Sequence, residues 1–251
     1  MMRSSLLRHM LGLVVVMVAA GRPPAWADLH VIESTAAAIK ARSQLADGDT
    51  LTIPAGAYIR VVLPSGKTQT IRGPYKGTVA ELARGQPRNE GVLAWLREFL
   101  NTGGATEATP GATRSIRRES AKPRTGFSWT AVPVTEDGNV CVEKGAQLQL
   151  VRAPSSFADR VVVIDAASSE RGEAQWGVGS ETAAWPSNLT PRPDGSYYII
   201  VADRPRRQIT LRVLEKQPTE DEILAELHRL GCKRQFEAWL RKTLASSKRG
   251  P

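Results

Sequence analysis

The chain has 251 residues, with 34 Lys and Arg against 25 Asp and Glu and a formal net charge of +9. That length suits two modest domains or one large β domain, and an apolar share of 41% allows a packed core. Much of the positive excess is local and so argues only weakly for a nucleic-acid partner, none of which is expected, and two widely spaced cysteines without a C-x-x-C partner imply no metal site.

Residues 1–27 read as a cleaved Sec signal rather than as part of the fold. Arg3 and Arg8 precede the short apolar run Leu11 to Ala20, followed by "GRPP" and the cleavage signature Ala25-Trp26-Ala27. An apolar run of that length falls short of the roughly 20 residues a membrane-spanning helix needs. No transmembrane span is expected in the mature chain, which is expected to start at Asp28 and to reside in the periplasm.

Residues 28–101 are expected to form a β domain ending in a helix. Strand candidates are 29–33, 50–54, 58–64 and 68–73, separated by turn residues such as Asp47-Gly48-Asp49 and Pro54-Ala55-Gly56. Ser65-Gly66 supplies a hairpin turn, and the segment 35–43 is ambiguous between helix and extended chain. Over 89–101, Asn89 can cap a helix in which Val92, Leu93, Leu96, Phe99 and Leu100 recur at helical spacing.

Residues 102–126 are rich in Gly, Thr, Ala, Ser and Pro and read as a flexible linker. Its second half holds Arg114, Arg117, Arg118, Lys122 and Arg124, a possible contact for an anionic polymer or lipid surface and otherwise a solvated tether. Residues 127–216 carry short strands at even spacing, a pattern that favours an immunoglobulin-like antiparallel sandwich with Trp129, Trp176 and Trp185 in or near its core. Residues 217–247 read as a helical pair packed on the sandwich. Thr219 and Glu222 match a capping box, and Gly231 separates the two helices. The expected class is therefore mainly β with minor α, in two β-rich domains.

Cys141 and Cys232 both fall in the exported part, which favours one disulfide over two buried thiols. Closing a loop of about 90 residues would stabilise the fold by about 4–5 kcal/mol in the chain-entropy model.

The stretch "QLADGDTLTIPAGAYIRVVLPSGKTQTIRGPYKGTV" resembles FecR-type periplasmic domains. The matching positions are Leu45, Gly48, Asp49, Leu51, Gly56, Val61, Leu63, Gly66, Ile71, Gly73 and Pro74, within about residues 45–80. The resemblance implies a non-enzymatic β module of the kind used in envelope signalling or on surface-associated proteins; an anti-sigma role is not carried over. The second half resembles uncharacterised proteobacterial envelope proteins through Trp129, Gly138, Cys141, Val142, Gly145, Gly231, Cys232, Gln235, Phe236, Trp239 and Leu240. That likeness adds weight to the disulfide.

The inventory for catalysis is thin. His30 and His228 are the histidines beyond the signal, and the chain has no H-E-x-x-H, G-x-S-x-G or Walker loop. Asp47 with Asp49, and Asp165 with Glu170, are paired carboxylates of the type a glycoside hydrolase uses, yet each pair also fits turn or loop chemistry. No catalytic residue and no cofactor is expected. The leading expectation is a periplasmic interaction, sensor or adaptor protein with an unidentified envelope protein partner. Binding to an envelope polymer or anionic surface comes second, and a carboxylate hydrolase third.

Overall fold

The computed structural model describes residues 29–102, 126–202 and 204–246. The signal candidate at 1–27 and the basic cluster at 114–124 therefore lie outside the described residues.

The first region begins with strands β1 (Leu29–Ser34), β2 (Gln44–Leu45), β3 (Thr50–Ile53), β4 (Tyr58–Val62), β5 (Thr68–Arg72) and β6 (Tyr75–Thr78). A short helix α1 (Val79–Ala83) and the longer α2 (Glu90–Asn101) follow. An antiparallel sheet in the order β2-β1-β4-β5 faces the ribbon β3-β6. Alternation dictates the layering: Leu51 and Ile53 of β3 point inward between exposed neighbours, as do Ile59 and Val61 of β4 on either side of half-buried Arg60. With Leu29, Val31, Leu63, Ile71 and Val79 they form one core. The segment 35–43 forms turns hung on β1, with the Val31 N–H bonded to Ser43 and the Arg42 N–H to Val31.

The second region contains β7 (Ala131–Pro133), β8 (Gly138–Glu143), β9 (Gln149–Val151), β10 (Asp159–Asp165), β11 (Arg171–Trp176), β12 (Thr182–Ala184), β13 (Ser196–Val201) and β14 (Arg207–Leu214). It is a sandwich of a five-stranded layer, β11-β10-β13-β14-β8, and a three-stranded layer, β12-β9-β7. Most neighbours are antiparallel. The chain enters one layer as β7 and the other as β8, and these two strands pair in parallel with β9 and β14 respectively. Trp176 and Trp185 lie in the core between the layers, whereas Trp129 packs beside Phe127 against the helices.

The C-terminal pair is α3 (Ile223–Arg229) and α4 (Lys233–Ser246). The capping box expected from Thr219 and Glu222 does not form. The Glu222 carboxylate bonds Lys67 Nζ at 2.9 Å, the Thr219 hydroxyl donates to that carboxylate, and the helix starts one residue later without a side-chain cap. A capping box does occur at α1, where Thr78 and Glu81 satisfy each other's backbone N–H groups. Helix α3 ends in a Schellman motif: the Gly231 N–H reaches the His228 carbonyl and the Cys232 N–H reaches Leu227, with Gly231 at a φ of 73°. A Cβ there would also lie 2.6 Å from Asn139 Nδ2, which itself donates to the Leu230 carbonyl.

Helices α2, α3 and α4 share a third core with both β regions. It joins Ile32 and Val62 of the first sheet, Leu96 and Phe99 of α2, Cys141 and Leu214 of the sandwich, and Phe236, Trp239 and Leu240 of α4. The helical pair thus packs on β1 as well as on the sandwich. This explains why all but the last residue of β1 is buried: its odd-numbered apolar residues face the first core and Ile32 faces the helices.

Candidate functional site

The junction between α4 and the sandwich is built around Cys141. Strand β8 lies at the edge of the five-stranded layer, so on one side the backbone groups of Cys141 have no neighbouring strand. Cys232, just before α4, is bonded to Cys141 with a Cα–Cα distance of 5.9 Å, and both side chains are buried. One turn further on, Gln235 occupies the open edge. Its Oε1 accepts from the Cys141 N–H at 2.7 Å, and its Nε2 donates to the Cys141 carbonyl at 2.6 Å and to that of Ser128 at 2.9 Å. The side-chain amide therefore acts as a one-residue strand. Lys233 adds an ion pair to Glu98 of α2 at 2.6 Å, and Arg234 pairs with Glu136.

At the opposite face of α3 a cleft of about 450 Å³ opens on the seam between the two β regions. Lys67 of the β4–β5 turn lines one wall; Lys216, Gln217 and Thr219 of the β14–α3 connection line another; Glu222 and Glu226 close it. Lys67 holds the Glu222 carboxyl below its usual range by hydrogen bond and charge, and Arg229 does the same for Glu226. The walls are fixed to each other by the Thr68 N–H to the Asp221 carbonyl at 2.8 Å and by Arg60 to Glu220 at 3.0 Å. The cleft thus offers fixed groups of both signs, with Lys216 exposed at its mouth.

The histidines and carboxylates singled out in the sequence are scattered. His30 is buried in β1. His228 lies edge-on to Trp95 with ring centroids 4.7 Å apart, against the backbone of Gly91, and burial pushes its imidazole down from the ordinary value. Asp49 accepts from the Ala46 N–H, closing the β2–β3 turn. Asp165 caps the β10–β11 turn through the Ala167 and Ser168 N–H groups and binds Arg192 at 2.5 Å. Burial raises the Asp165 carboxyl, but these donors outweigh it and leave the group below the ordinary carboxylate range. Among the described residues, no three His, Cys, Asp or Glu side chains gather as a metal ion would require.

Two roles are not read from the sequence: the clamp made by Gln235, there only a position of the second-half resemblance, and the buried ion pair of Arg152. Gln235 matters because it follows Cys232 by one helical turn and so shares its face, a spacing visible in "CKRQ". Arg152 ends an apolar strand run, yet it is fully buried, ion-paired to Asp159 at 2.6 Å and stacked over Trp176. Nothing in its local sequence signals that role.

Among the described residues no helix is long and apolar enough to cross a membrane. The disulfide is compatible with a location outside the reducing cytosol. Searches for similarity returned no matching family model, no matching curated protein and no matching solved structure.

Proposed function

We propose that this chain is an exported periplasmic interaction module of sensor or adaptor type, with residues 45–80 serving as a FecR-like β domain. The observation that carries the reading is the seam cleft, where Lys67 of the first β region, Lys216 of the β14–α3 connection, and Glu222 and Glu226 of α3 form a single charged opening. A site of both signs fits a protein segment bearing complementary charges better than an apolar small molecule. The disulfide and the Gln235 clamp hold the helix-bearing walls in place, which favours recognition by preorganised surfaces.

The test is photo-crosslinking in the intact periplasm from Lys216 and Ala225 at the cleft, with exposed Gln175 on β11, at the far edge of the five-stranded layer, as control. The reading expects a defined protein adduct at the two cleft positions, weakened by Lys67→Glu. Adducts of equal yield at all three positions, or none at the cleft, would overturn it.

A further inference from the structure

The turn that joins α3 to α4 is seated on β8 by bonds in which sulfur takes no part. Asn139 Nδ2 donates to the Leu230 carbonyl at 2.8 Å, and Gln235 takes both backbone groups of Cys141 as well as the Ser128 carbonyl. The turn itself is fixed by its own backbone: the Cys232 N–H bonds the Leu227 carbonyl, and the Phe236 N–H bonds the Cys232 carbonyl. Cys232 and Gln235 therefore share one face of the helix start, three residues apart. Setting the Gln235 amide on Cys141 sets the Cys232 side chain there too.

The two cysteines lie 91 residues apart in sequence, and a flexible chain of that length brings its ends together only at an entropic cost. Both side chains are fully buried once the turn is seated, so a dissolved oxidant cannot reach either sulfur in that state. Closure of the bond thus has two requirements that pull apart. One cysteine must meet the oxidant while the turn is off the strand, and the pair must then be brought together by something other than the bond itself. The Gln235 clamp meets the second requirement.

We propose that Gln235 is the positioning residue for formation of the Cys141–Cys232 disulfide, docking the start of α4 on β8 before the sulfurs are joined. With glutathione disulfide as the oxidant, one cysteine thiolate attacks a glutathione sulfur, the S–S bond of the oxidant breaks, and one glutathione leaves as thiolate. The chain then carries a mixed disulfide. As the turn settles onto β8 through Gln235, the thiolate of the second cysteine attacks the sulfur of the first and expels the other glutathione. Two protein thiols are oxidised to one disulfide, glutathione disulfide is reduced to two thiols, and the two protons pass through solvent to those thiols. This goes beyond the cleft-based reading and does not depend on it, because it concerns how the fold is closed and not what it binds.

The test follows reoxidation of the purified protein, reduced and unfolded in urea and then diluted into glutathione disulfide. Thiols are blocked at intervals, and the dithiol, mixed-disulfide and bonded forms are separated by mass. In the wild type the second step should outrun the first, so that little mixed disulfide accumulates. Gln235→Ala should slow the second step about tenfold or more and let mixed disulfide build up, with the first step unchanged. Asp159→Asn is the control for stability alone. It weakens an ion pair on β10, separated from β8 by β13 and β14, and should leave the second step within about twofold of wild type. In concentrated urea, where the turn is not seated, the wild type and Gln235→Ala should close the bond at the same rate. Closure by Gln235→Ala at the wild-type rate, or slowing confined to the first step, would overturn the proposal. So would equal slowing by Asp159→Asn, which would make general stability the cause, or a difference between wild type and Gln235→Ala that persists in urea.

Discussion

Gln235 satisfies both backbone groups of Cys141, accepting from its N–H at 2.7 Å and donating to its carbonyl at 2.6 Å, three residues after the cysteine that bonds the same strand residue covalently. Two independent attachments therefore converge on one residue of an edge strand. Gln235→Ala leaves a buried donor and acceptor unpaired and should cost about 2–3 kcal/mol in urea unfolding. Gln235→Glu keeps the acceptor but sets a carboxylate against the Cys141 and Ser128 carbonyls, so it should be no better than alanine. A glutamate variant as stable as wild type would contradict the clamp.

Cys232→Ser should destabilise by about 2–4 kcal/mol. Its effect should extend past the sandwich, because α4 packs on Ile32 and Val62 of the first sheet. Amide exchange should quicken in β1 as well as in α3.

The helix contact at His228 makes stability pH-dependent. Burial holds its imidazole below the ordinary value of 6.5, so the unfolded chain binds the proton more readily. The contribution is complete above that value and declines as pH falls below it. The thermal midpoint should drop between pH 7.5 and 5, and His228→Gln should flatten that slope relative to wild type.

Gly73 packs where no side chain fits: an added Cβ would lie 1.8 Å from the Pro54 carbonyl oxygen, a backbone atom. Gly73→Ala should cost about 3 kcal/mol or more, at or above the upper end of ordinary overpacking. Gly48, with open space around it, provides the contrast, since Gly48→Ala should change stability by less than about 0.5 kcal/mol.

Arg152→Leu removes the guanidinium that ties two loops and should destabilise by about 3–5 kcal/mol, as expected when a buried ion pair loses one member. Circular dichroism melts of this variant beside Asp159→Asn would check it, the latter being milder because Asp159 is partly exposed.

The strand at 50–54 was legible because one-sided burial writes alternation into the sequence, those at 29–33, 58–64 and 68–73 from β-favouring residues bounded by turn signals, and α2 from its cap and apolar stripe. Strands β6 and β12 were not, being short and carrying Gly77 or two alanines in place of β-branched residues. Thr219 and Glu222 match a capping box by spacing, but Lys67, remote in sequence, draws the carboxylate away. The cleft was hidden for the same reason. Its walls come from positions about 150 residues apart, and ion pairs across such a seam leave no local pattern.

The most direct measurement is hydrogen exchange across the described segments, with the Cys141–Cys232 bond intact and after its reduction. Helices that join both β regions through one core predict that β1, β4, α3 and α4 lose protection together on reduction, while the β3–β6 ribbon changes least. Loss confined to residues 126–246, with β1 and β4 unchanged, would contradict that coupling.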